Sequence, residues 1–114
     1  MGNKNKSDVL FSIFLDENQV PEKLNWSAEE GGINNEDTKA FFISVWDAKK
    51  KETLKMDLWT KDMPLDEMKH FFYQTFLSMA DTFHRATNDD KMTASMRDFA
   101  DYFAEKLELI EKKE

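Results

Sequence analysis

His70 and His84 are the only histidines in the chain, and their spacing denies them a shared task. Fourteen positions apart on one helix, they stand about 21 Å from each other at roughly 1.5 Å per residue. Neither a metal ion nor a proton passes between side chains so placed. Each reads as a polar residue on a helix surface, with Asp81 one turn before His84 as a local hydrogen-bond partner. Cysteine is absent, which excludes disulfide, thiolate–zinc and thiol redox chemistry. The carboxylates are numerous but badly spaced for a metal. A calcium loop needs oxygen ligands at alternating positions, a central glycine and a closing glutamate. The stretch from Glu29 to Asp37 has the acids without that order. No glycine-rich phosphate loop, no nucleophile elbow and no nucleophile–base pattern is present. The chain is therefore expected to be no enzyme, with no cofactor and no metal.

The elements that would position any site fall into two halves. From Val9 to Leu15 apolar residues alternate, which predicts a strand. Turn residues Asp16 to Gln19 follow, and a second strand near Lys23 to Ala28 places Leu24, Trp26 and Ala28 on one face. Pro21 has no N–H for a ladder and marks a strand start or an edge. Gly31-Gly32 and Asn34-Asn35 read as a loop. Next comes a hairpin, Phe41 to Trp46 and Leu54 to Trp59, around Asp47 to Glu52. A turn centred between Lys49 and Lys50 sets Val45 against Leu54, Ile43 against Met56 and Phe41 against Leu58. A slip of one residue would send all six side chains to the other face.

Beyond Pro64 the period changes to 3.6. Pro64 suits the first helical position, and Asp66 and Glu67 complement the helix dipole. Leu65, Met68, Phe72, Phe76, Met79, Phe83 and Ala86 form one apolar stripe. Thr87-Asn88-Asp89-Asp90 ends that helix and caps another. The second stripe runs through Met92, Met96, Phe99, Phe103, Leu107 and Ile110, and the short connection predicts an antiparallel pair. Most of the seven methionines fall on these stripes, where they read as core filling. The expected fold is α+β: a four-stranded antiparallel sheet followed by two antiparallel amphipathic helices packed on one face. A flexible segment 1–7 is expected before a single domain, 8–112, because 114 residues suffice for one core.

Ten phenylalanines and three tryptophans argue for a folded chain despite 34% charged residues. The net charge of −7 removes the counterion-release term by which nucleic acids are bound, so nucleic acid is not an expected partner. The acids concentrate between Asp16 and Asp37, whereas Lys49, Lys50, Lys51, Lys55 and Lys61 make the hairpin region mildly basic. No run is long enough to insert in a bilayer, no secretory signal is visible, and Lys6 stands where a myristoylation motif wants serine or threonine. The expected compartment is the cytoplasm. Asn25-Trp26-Ser27 then matches a glycosylation acceptor by chance.

If the hairpin's odd-numbered strand-one residues face the helices, Phe42, Ser44, Trp46 and Trp59 face away. Leu10 and Phe14 of the first strand join them. A free sheet face should read polar. One carrying Leu10, Phe14, Phe42, Trp46 and Trp59 is expected to be a partner-binding or self-association surface.

Several strings carry a family likeness. They are Val45-Trp46-Asp47, Glu52-Thr53-Leu54, Asp57-Leu58-Trp59-Thr60-Lys61-Asp62-Met63-Pro64, Met79-Ala80-Asp81-Thr82-Phe83 and Asp101-Tyr102-Phe103-Ala104-Glu105-Lys106-Leu107. Together with Pro21-Glu22-Lys23 and Trp26-Ser27-Ala28-Glu29, they make the chain resemble the gliding motility protein GldC family from about Val9 to Leu109. The resemblance implies a small soluble protein of Bacteroidetes that accompanies the gliding machinery, itself linked to type IX secretion. It supplies no catalytic residues. The expected function is an accessory or adaptor protein that binds a protein component of that machinery, as a homo-oligomer. The alternative, from fold-level analogy, is a holding chaperone for export similar to SecB.

Overall fold

The computed structural model describes residues 5–111. Of the expected N-terminal segment, residues 1–4 lie outside the described residues, as does residue 112 at the other end. Five strands precede two helices: β1 (Leu10–Leu15), β2 (Pro21–Ala28), β3 (Ile33–Thr38), β4 (Ala40–Asp47), β5 (Glu52–Trp59), α1 (Leu65–Thr87) and α2 (Asp90–Lys106), with a 3-10 turn at Glu29–Gly31. The chain is α+β, as its periodicities predict. The sheet is not the single four-stranded one expected. The strands form two antiparallel sheets, β1-β2-β3 and β4-β5.

Two physical features account for the difference. The extra strand, Ile33-Asn34-Asn35-Glu36-Asp37-Thr38, is polar and mostly exposed, so no side-chain alternation announces it. It forms because its backbone pairs with β2, setting Leu24 against Thr38 and Trp26 against Glu36. Lys39 then bends the chain, and β4 opens a new ladder instead of extending the first.

The structure divides into two compact units, one ending at Met63 and one beginning at Pro64. In the sheet unit, Leu24 is fully buried and Phe41 nearly so. The Phe11 ring stacks almost parallel to Trp26, with centroids 5.8 Å apart, and tilts against Phe41 at 4.8 Å. The contact with Phe41 joins the inner faces of the two sheets. The hairpin adopts the register that its apolar pattern requires, with Phe41↔Leu58, Ile43↔Met56 and Val45↔Leu54. Its turn is held by Asp47, whose Oδ1 accepts from the backbone N–H groups of Lys49 and Lys50 at 3.0 and 3.3 Å. Lys51 closes the turn in the left-handed region, at φ 55°.

A short string after β5 clasps the sheets together. Thr60 N–H donates to Lys39 O at 2.8 Å, and Lys61 N–H to Pro21 O at 3.0 Å. Lys61 Nζ donates to Asp16 Oδ2 at 2.9 Å, and Lys39 Nζ to Asp62 Oδ2 at 3.1 Å. Three consecutive residues thereby engage β2, the β1–β2 turn and the β3–β4 bend.

In the helical unit, Pro64 sits one position earlier than expected, as the extended residue before Leu65. Asn88 ends α1 in the left-handed conformation, and Asp89 caps α2 by accepting from Met92 N–H at 2.9 Å. The contacts Phe76–Phe103, Asp81–Arg97 and His84–Asp90 run in opposite order along the two helices, which are therefore antiparallel. Small residues line the contact: Ala80, Thr93, Ala100 and Ala104 are buried. They let the backbones approach while Phe76 sets its ring edge against Phe99 and Phe103, 5.5 and 5.0 Å away. The apolar stripe outlasts α2, because Glu108 takes a left-handed φ of 60° and Leu109 N–H turns back to Ala104 O.

Candidate binding surface

Several titratable residues have structural partners. His84 Nε2 lies 2.7 Å from Asp90 Oδ1, not against Asp81. Asp81 takes Arg97 Nη2 at 2.7 Å across the helix pair. Spacing along one helix cannot reveal this exchange, since both partners come from α2. Among the described residues, no group of three or more His, Cys, Asp or Glu is gathered as a metal would require. No helix of the described chain is long and apolar enough to cross a membrane.

The five expected surface residues divide between the two sheets. Phe42, Trp46 and Trp59 share one face of the hairpin, where they stand opposite Asp57, Thr53 and Ala40. Trp46 is 63% exposed and Trp59 52%. Lys55 Nζ lies 5.7 Å from the centre of the Phe42 ring and 3.3 Å from Asp57 Oδ2. This face therefore offers two tryptophans around a short charged row. Leu10 and Phe14 share the outer face of β1, both exposed. Their neighbours on β2 are Ser27 and Lys23, and Lys23 Nζ lies 5.5 Å from the centre of the Phe14 ring.

Other exposed apolar residues were hidden from a reading by alternation. Val45, Leu54 and Met56 occupy the opposite hairpin face, the one assigned to the core, yet each is more than half exposed. Only the proximal end of that face is closed, at Phe41. Alternation separates the two faces of a strand, but it carries no information on which end of the face is covered. In the helical unit, Met79 and Met92 are likewise exposed. An open groove of about 680 Å³ is lined by Phe71, Met79, Phe83 and Met96 among others. Methionines read as core filling thus line a surface.

Apolar side chains of this size, exposed on both units, are what binding surfaces are built from. The family comparison agrees in identity. Residues 21–109 match the family model described as gliding motility-associated protein GldC-like. The chain belongs to the GldC-like family. No curated protein and no solved structure matches it. The matched span takes in β2 to α2 and the whole Leu58–Pro64 string. That string, the most distinctive part of the likeness, holds the clasp made by Thr60, Lys61 and Asp62, with exposed Trp59 beside it.

Proposed function

We propose that this GldC-like chain is a non-catalytic adaptor of the gliding machinery. It acts in the cytoplasm, as a homo-oligomer, by docking a protein component of the motility and type IX secretion apparatus. The observation that carries the reading is the exposure of Trp46 and Trp59, each more than half exposed, at the two ends of one hairpin face. Tryptophan is enriched among residues that dominate interface energies, because it buries a large area at little entropic cost. The Phe42–Lys55–Asp57 row beside the pair supplies polar contacts that fix orientation. Family membership supplies the process, and the hairpin supplies the surface.

The test replaces Trp46 and Trp59 with aspartate in gliding cells. The reading predicts a folded protein that no longer captures its partner, and colonies that fail to spread. Unchanged capture and spreading would remove the hairpin face from the account.

A second reading, a SecB-like holding chaperone, draws on a different observation. The open groove of the helical unit, with exposed Met79 and Met92, is of the adaptable kind that accepts varied sequences. It predicts suppression of aggregation of several unrelated unfolded proteins, and loss of that activity in Met79→Glu. An adaptor binds one folded partner and leaves such aggregation unaffected.

A further inference from the structure

β1 is an edge strand of the three-stranded sheet: β2 pairs with one of its edges, and no strand of the described residues pairs with the other. Soluble proteins defend such edges with lysine, proline, a bulge-driven twist or a covering segment. The other edge of this sheet is so defended, since β3 carries Glu36 and Asp37 and a left-handed Asn35. From Leu10 to Leu15, in contrast, β1 has no charge and no proline; its ladder with β2 is regular from Leu10 to Phe14 and breaks register only after Phe14, and Leu10, Ile13, Phe14 and Leu15 are all exposed.

The sequence of this edge is complementary to itself. In an antiparallel pair of two copies, a two-fold axis through Ser12 sets Leu10 against Phe14 twice on the outer face. It sets Phe11 against Ile13 twice on the inner face, and Ser12 against Ser12 at the centre. Every opposed pair is apolar except the serines, which can bond to each other, and each residue stays on its own face, as a continuous sheet requires. The same axis sets Asp8 against Asp16 at each end, where each acid already has a lysine partner. Asp8 is paired with Lys6 at 3.7 Å and Asp16 with Lys61 at 2.9 Å. β4, uncharged only from Ala40 to Trp46, is a weaker rival, because Phe41 is buried and Phe42 and Ile43 are half-buried.

We infer that β1 is the self-association seam: two copies pair their β1 strands antiparallel about Ser12, making one six-stranded sheet. The inference deepens the homo-oligomer part of the proposed function and leaves the hairpin face free for a partner. Both hairpins then belong to one particle, and a bivalent partner surface follows.

The absence of cysteine makes disulfide trapping clean. Across either kind of antiparallel pair, opposed Cα atoms stand about 4.5–5.5 Å apart, within disulfide range. Under mild oxidation, Ser12→Cys should cross-link into a species of twice 13.5 kDa, whereas Ser44→Cys on β4 should not. Ser12→Lys, which sets two like charges on the axis, should halve the mass measured by light scattering. In the unaltered chain, hydrogen exchange of the Leu10–Leu15 amides should slow as protein concentration rises. A monomeric wild type, a Ser12→Lys chain of undiminished mass, or exchange independent of concentration would overturn the seam. Cross-linking through Ser44→Cys alone would move it to β4. Ser12→Lys leaves Trp46 and Trp59 intact, so partner capture by the monomer reports on the adaptor reading separately.

Discussion

Lys61 Nζ sits 2.9 Å from Asp16 Oδ2, joining residues 45 positions apart. The pair ties the β1–β2 turn to the segment that leaves β5. Asp16 is well placed to hold it, because its other oxygen accepts from Asn18 and Val20 N–H at 2.8 and 3.0 Å. The hydrogen bond from Lys61, aided by the backbone N–H of Val20, holds the Asp16 carboxyl below its ordinary value of 3.8. The bond to Asp16 and the charge behind it raise Lys61 above 10.5.

Both shifts have a sign that can be followed. A lowered carboxylate contributes stability above its unfolded value, and loses it as pH falls through the folded value. A raised lysine contributes stability below 10.5, and loses it as pH rises through its folded value. The denaturation midpoints of wild type and Asp16→Asn should therefore differ by a level amount across the neutral range and converge at both extremes. Urea titrations over a pH series measure this. A difference that grew in acid would break the account of the clasp.

The hairpin turn offers a gain. Lys51 occupies the left-handed region at φ 55°, where a side chain costs an L-residue about 1–2 kcal/mol and glycine sits without strain. Lys51→Gly should stabilise the chain by roughly 0.5–1 kcal/mol, after the added entropy of the unfolded glycine is offset. A higher urea midpoint with an unchanged slope is the expected result.

In the helical unit, two substitutions should act in opposite directions. Asp89→Ala removes the acceptor of Met92 N–H and should cost about 0.5–2 kcal/mol, as lost N-caps do. Thr93 is buried, and its hydroxyl has no hydrogen-bond partner among the described residues. Thr93→Val keeps the shape and deletes an unpaired polar group, so it should stabilise by roughly 1 kcal/mol. Thermal unfolding of the two variants should bracket the wild type.

The two helices and the hairpin register were legible because burial imposes a period. Val45 could sit opposite Leu54 in only one register without scattering its neighbours. β3 was illegible for the converse reason: Asn34 to Asp37 form a strand through backbone pairing alone, and such pairing leaves no period in the side chains. The bend at Lys39, which separates two sheets, depends on contacts from Thr60 and Asp62 far along the chain. The facing of the outer aromatics was legible, and their grouping was not. Trp46 and Trp59 fall on one face of the hairpin, at its two ends, as the alternation requires, while Leu10 and Phe14 lie on the other sheet. Exposure of Val45, Leu54 and Met56 depends on where cover ends, a tertiary fact that alternation does not encode.

The tryptophans carry the most specific functional prediction. Trp46→Asp and Trp59→Asp alter exposed positions opposite Thr53 and Ala40, so circular dichroism and the urea midpoint should stay within about 0.5 kcal/mol of wild type, as surface changes usually do. Binding should not survive. A large loss of stability would make these residues part of the fold and not of a surface.

The most direct measurement of the central claim is affinity purification of the tagged chain from gliding cells, in wild-type and Trp46→Asp/Trp59→Asp forms. The account predicts that a component of the motility machinery co-purifies with the wild type and is lost from the folded double variant, with colony spreading lost in parallel. Retention of that component by the double variant, with normal spreading, would contradict it.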